Sequence, residues 1–242
     1  MPTTYWCCVE CPGNPEAWKR HAPSHKAVKK LRKRGEDGGE FQQRNREIAE
    51  EHARLAAQSG DEYQELLADG ARYASKDDTR RAAKAYREAI ALRPDEPAAY
   101  YGLGAALNSS AHRVEAAQRF FEAKERYPAG SVMWARATAQ AYSMLTQEEC
   151  AEVAKPEWWN VEGLKALSAR VVRAAPDDVG ANAMRALVLC GHAAWEAGPR
   201  SAAELMEAAT HYERAAALHT APAMKANLAG AAARCRSLAE AM

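Results

Sequence analysis

The chain has 242 residues, 48% hydrophobic and 27% charged, with a net charge of +1; this is room for one large domain, or a medium domain with a small appendage, of ordinary globular composition. No run approaches eighteen consecutive apolar residues, which excludes a membrane-spanning helix, and MPTTYWCC lacks the charged-then-apolar pattern of a secretory signal. The expectation is an intracellular protein, in cytoplasm or nucleus, whose six cysteines are free thiols or metal ligands rather than a disulfide framework.

Residues 1–28 come first. The stretch CCVECPGNPEAWKRHAPSH, Cys7 to His25, holds three cysteines and two histidines in nineteen residues. Cys8 and Cys11 have the C-x2-C spacing of a tight knuckle, and His21 and His25 have an H-x3-H spacing that puts two imidazoles on one helical face. Trp6 precedes Cys8 by two residues, Trp18 precedes His21 by three, and Asn14-Pro15 is a good N-cap and first-turn pair. The stretch resembles a shortened C2H2-type zinc finger, with nine residues between Cys11 and His21, Pro23 between the histidines and Cys7 as an alternative ligand. The resemblance implies one structural zinc on Cys8, Cys11, His21 and His25, with no open position for catalysis. The other reading is a loosely ordered tail.

Residues 29–62 form a basic linker and a lead-in helix. The linker opens with KKLRKR, in which Lys29, Lys30, Arg32, Lys33 and Arg34 carry the charge. Residues 1–34 hold eight Lys/Arg against two Glu, whereas residues 35–242 hold 25 against 30 Asp/Glu. Such a run reads as a nuclear import signal, as a patch for RNA or DNA, or as a solvated flank. Phosphate contacts from it would be salt-sensitive, and one small finger covers too little surface for strong specificity. RGEDGGE is a glycine-rich hinge. Beyond it, residues 40–58 place Phe41, Ile48, Ala49, His52, Leu55 and Ala56 on one helical stripe.

The body of the chain repeats. Frame 63–96 has Leu66, Gly70, Tyr73, Ala82, Tyr86, Ala89 and Pro94; frame 97–130 has Tyr100, Gly104, Leu107, Ala116, Phe120, Ala123 and Pro128, each 34 residues further on. The glycines and alanines are the small positions where two antiparallel helices approach closely, Tyr86 and Phe120 fill the gap to the next pair, and each proline stops the second helix. A third frame, 131–178, starts on schedule at Trp134 and then carries about 14 extra residues around TQEECAEVAKPEWWN. A fourth, 179–220, has Asn182, Ala186 and Leu189, then Ala208, Tyr212 and Ala215 after the longer connection EAGPRS. Residues 222–241 complete the chain as an amphipathic cap.

This pattern resembles the tetratricopeptide repeat (TPR), strongly in the first two frames and moderately in the last two. The resemblance implies an all-α, right-handed solenoid of helical hairpins over 63–242, behind the small zinc-finger-like segment. It also implies an inner face on the first helix of each hairpin. Leu67, Ala71, Tyr101, Ala105, Asn108, Arg136, Ala139 and Tyr142 are the positions that would meet a peptide there. These are mostly small and apolar, which suits an apolar helix or extended peptide; the chain's own helix 40–58 is the competing occupant. TPR proteins that grip a chaperone's C-terminal carboxylate use Lys, Asn and Arg at positions that here are Leu67, Ala71, Gly102, Val132 and Arg136, and only Arg136 fits.

Trp158-Trp159, in the insertion, reads either as a partner anchor or as a pair that packs the insertion down. Cys150, Cys190 and Cys235 read as buried thiols, and His112, His192, His211 and His219 stand at no telling spacing from an acid or nucleophile. Phosphate loops, G-x-S-x-G, paired catalytic carboxylates and H-E-x-x-H are all missing from the sequence. The expectation is therefore a non-enzymatic adaptor with a protein or peptide partner and no small-molecule substrate or membrane. The alternative is a nucleic-acid-associated factor that uses its N-terminus on RNA or DNA and its repeats on protein.

Overall fold

The computed structural model describes residues 38–191 and 200–242, with the side chains of residues 38–42 and 59 left aside. The described residues are helical, without a strand among them, and fall into two compact units, one ending at Arg126 and one beginning at Tyr127.

The first unit holds α1 (Gly38–Ser59), α2 (Glu62–Ser75), α3 (Thr79–Leu92), α4 (Pro97–Ser109) and α5 (Arg113–Arg126). Each helix packs on the next, and α2 also meets α4. Their starts are chemically marked. The Asp61 carboxylate accepts from the Tyr63 backbone N–H and the Asp78 carboxylate from that of Arg81, while α4 opens on Pro97. The turns inside the two hairpins have one geometry. Asp78 N–H donates to Tyr73 O at 3.0 Å, and His112 N–H to Leu107 O at 2.9 Å, 34 residues on. Asp77 and Ala111 both take the left-handed conformation, at φ 60° and 64°.

The small positions work through one ring. A Cβ placed on Gly70 of α2 would stand 2.6 Å from the Tyr86 ring of α3, and one on Gly102 of α4 would press still closer on the same ring. Tyr86 thus lies between its own hairpin and the next, and glycine on both sides is what admits it. Phe120 of α5 lies against Gly104 of α4 in the following hairpin, at 3.0 Å from such a Cβ. Ala82, Ala89, Ala116 and Ala123 are fully buried along these seams. Such close packing is where one added carbon is felt.

Helix α1 packs on α2 through buried Arg44, Asn45, Ile48 and Ala49. Lys76 pairs with Glu50 at 2.9 Å, and Arg46 Nε donates to Ser75 O at 3.4 Å. The residues 34 before Ala82, Tyr86 and Ala89 are Ile48, His52 and Leu55. By that register α1 holds the position of a second hairpin helix.

The second unit holds α6 (Val132–Leu145), a short 3-10 turn (Glu148–Cys150), α7 (Val161–Ala174), α8 (Val179–Cys190), α9 (Ala202–Leu218) and α10 (Pro222–Glu240). α6 packs on α7 and α8, and from α7 onward each helix packs on the next. Side-chain caps start four of the five helices: Ser131, Asn160, Asp178, and Ser201, which forms a full capping box with Glu204. Asn182, fully buried at the start of α8, donates to Pro176 O at 2.8 Å. Tyr100 does the same to Pro94 O at 2.9 Å in the first unit, from the same place in its frame. Ala186, Leu189, Ala208, Tyr212, Ala232 and Cys235 knit α8, α9 and α10 into one core.

Candidate peptide-binding face

In the first unit, Leu67 and Ala71 are one turn apart on α2, and Tyr101, Ala105 and Asn108 follow one stripe of α4, which packs beside α2. Leu67, Ala71, Ala105 and Asn108 are half-buried. Leu67 packs partly on the small core of Tyr63, Ala89 and Ala99. Tyr101 is different: it is 4% exposed and sets its ring edge-on to Phe120, with centroids 5.1 Å apart. It therefore packs the hairpin from within, and its neighbours Ala105 and Asn108 present the surface. Arg72, on the same helix as Leu67, is held by Asp69 at 2.7 Å and lies 4.9 Å over the Tyr73 ring. That carboxylate raises its pKa further, so the charge there is fixed and internally matched.

The three remaining positions, in the second unit, are engaged by the chain itself. Arg136 Nε donates to Asp178 Oδ2 at 2.9 Å, while Asp178 Oδ1 caps α8 through Ala181 N–H at 3.0 Å. Arg136 thus ties α6 to the start of α8. Ala139 is buried. Tyr142 is 2% exposed, with the Trp159 ring stacked on it at 5.4 Å and 30°. The place a peptide would take at Tyr142 is filled by the insertion between α6 and α7. Trp159 is itself buried, so this half of the tryptophan pair packs the insertion onto the helices.

Cys8, Cys11, His21 and His25, and the basic run Lys29, Lys30, Arg32, Lys33 and Arg34, lie outside the described residues. Among the described residues no group of three or more His, Cys, Asp or Glu is placed to hold a metal ion, and no helix is long and apolar enough to cross a membrane. Cys150 and Cys235 are buried, and Cys190 is half-buried with Sγ 3.5 Å from the Tyr212 hydroxyl. Burial pushes the Cys235 thiol up, which disfavours a reactive thiolate. Two of the described histidines serve structure. His211 Nδ1 lies 2.9 Å from Asn182 Oδ1, and His219 Nδ1 accepts from Ala221 N–H at 3.1 Å. Arg200, read in the sequence only as part of a connection, lies half-buried at the start of that connection's described end; no motif marks it.

No curated protein matches the chain. Residues 70–108, from the second half of α2 through α4, match the family model described as TPR repeat.

Proposed function

We propose that the chain is a non-enzymatic protein–protein interaction adaptor of the TPR solenoid kind, and that it takes an apolar peptide along α2 and α4 of its first unit. The observation that carries this reading is the half-buried stripe of Leu67, Ala71, Ala105 and Asn108 on two adjacent helices, the last three within the matched residues 70–108. TPR repeats generally mediate contacts between proteins. The stripe is mostly small and apolar, with Asn108 as its one polar member and no charged side chain in it, so it suits an extended or helical segment that buries apolar side chains. Selection of displayed peptides on the full chain tests this. Ala71→Arg and Ala105→Arg are expected to weaken the selected peptides at least tenfold, about 1.4 kcal/mol, without unfolding the protein. Recovery of no peptide, or of peptides indifferent to both changes, would overturn the reading.

A second reading rests on the sequence of residues 1–34, with its eight Lys/Arg against two Glu and its C-x2-C and H-x3-H spacings. In it, Cys8, Cys11, His21 and His25 hold one structural zinc, and Lys29 to Arg34 contact RNA or DNA through phosphates. Elemental analysis of protein purified without chelators is expected to give near one zinc per chain, and none after Cys8→Ala with Cys11→Ala. A nucleic-acid gel shift that weakens with salt and vanishes without residues 1–34 is the matching result. No zinc in the parent, or a shift indifferent to the deletion, would remove this reading.

A further inference from the structure

Helix α3 concentrates positive charge. Between Thr79 and Leu92 it carries Arg80, Arg81, Lys84 and Arg87 against Glu88 alone, whereas residues 35–242 together hold 25 Lys/Arg against 30 Asp/Glu. Arg80, Lys84 and Arg87 follow one another at i, i+4 and i+7, so they share one stripe. All three are exposed, and the helix buries its opposite side through Ala82, Ala85, Tyr86 and Ala89. Lys84 shares Glu88 at 3.7 Å, a loose pair of exposed side chains, and Arg81 reaches Asp78 at 3.4 Å. Arg80 and Arg87 meet no carboxylate among the described residues.

The helix itself gains nothing from this arrangement. Its first turn holds Arg80 and Arg81 and no acid, although the positive end of a helix dipole favours carboxylates there. Like charges three and four residues apart also repel one another. The stripe therefore works against the helix that carries it and suits a negative partner, whose attraction the dipole adds to at Arg80. It is also one helix wide. At the matching places, 34 residues earlier and later, stand Arg46, Glu50 and Ala53 on α1 and Val114, Gln118 and Phe121 on α5. A nucleic-acid duplex is held by neutralising many phosphates, and this stripe offers three cations. It fits a single short chain with a few carboxylates.

We propose that Arg80, Lys84 and Arg87 of α3 dock an acidic segment of a protein partner. Its carboxylates pair with two guanidiniums and one ammonium spread over about 10 Å, the rise of seven helical residues. The face lies on α3 and not on α2 or α4, so it stands whether or not those helices take a peptide.

Fluorescently labelled octaglutamate is the probe, and its anisotropy on the full chain at low salt is the readout. Arg80→Gln with Arg87→Gln is expected to weaken binding at least threefold; glutamine keeps the helix propensity and removes the charge. Lys225→Gln with Arg234→Gln takes as much charge from exposed positions on α10 and is expected to leave binding nearly unchanged. Carbodiimide coupling is expected to join the probe to Lys84, read by peptide mass. Thermal unfolding shows that both variants are folded. Four results would overturn the proposal: no binding by the parent, equal losses in the two variants, binding indifferent to the α3 changes because Lys29 to Arg34 hold the probe, or a short DNA or RNA duplex that binds more tightly than the probe and is lost with the same α3 changes.

Discussion

Gly70 and Gly102 show how one atom decides the packing of two hairpins. Both lie in helices, where alanine is favoured over glycine by about 1 kcal/mol. The Tyr86 ring reverses that preference, because a Cβ on Gly70 would stand 2.6 Å from it and one on Gly102 closer still. The ring is clasped on both sides and has nowhere to turn. Gly70→Ala and Gly102→Ala are each expected to lower stability by about 1–3 kcal/mol, the usual range for overpacking. Gly104→Ala, at 3.0 Å from Phe120, asks for a smaller adjustment and keeps more of the helix-propensity gain. Denaturant unfolding of the three variants should rank Gly104→Ala as the mildest. Equal losses at all three would mean that Tyr86 does not hold the seam. The contrast also explains why position 102, which the repeat resemblance turns toward a ligand, is half-buried under a ring of its own unit.

At the scale of helices, the sequence was most legible where spacing reports packing. Seven positions repeated at 34 residues, and they bracket α2 to α5 because the same ring, glycine and alanine contacts recur at each hairpin. Pro94 and Pro97 bound the connection between α3 and α4, as a residue without an N–H must. Repetition says nothing about residues that do not repeat. Whether Trp158-Trp159 stood out or packed down depended on Tyr142, which is on a different element, and the stack between Trp159 and Tyr142 settles it for Trp159. Arg136 carried the right charge for a ligand contact, yet Asp178, 42 residues later, takes it. A frame-by-frame reading of an inner face cannot see such a partner. Ala111 makes the same point about turns: alanine gives no sequence signal for φ 64°, and only its correspondence with Asp77 places it there. Register alone places Leu67, Ala71, Ala105 and Asn108 on two adjacent helices, whereas the pairing of Arg136 with Asp178 and the stack of Tyr142 with Trp159 come from long-range contacts.

At the scale of the whole chain, two histidines contribute to how stability responds to mild acid. His211 and His219 both have pKa values below the usual histidine range, in each case chiefly because burial disfavours the charged ring. Around His211, Arg185 and Arg214 add to the depression while Glu207, 3.8 Å from Nε2, opposes it. Lys225 adds to it at His219. The unfolded chain takes up these protons more readily than the folded one. The stability they contribute is thus complete above about pH 6.5, the ordinary histidine value, and is lost as pH falls toward the lowered folded values. The wiring gives the same sign. His219 Nδ1 accepts from Ala221 N–H and cannot do so once protonated. Glu204, held down to about 2 first by Lys165 and then by the Ser201 backbone, keeps its charge through that window; its contribution goes only below the ordinary carboxylate range. The thermal midpoint is therefore expected to fall between pH 7 and pH 5 and to fall less in a His211→Gln/His219→Asn variant, where amides replace the titrating rings. A pH slope in that variant as steep as the parent's would place the acid sensitivity in other groups.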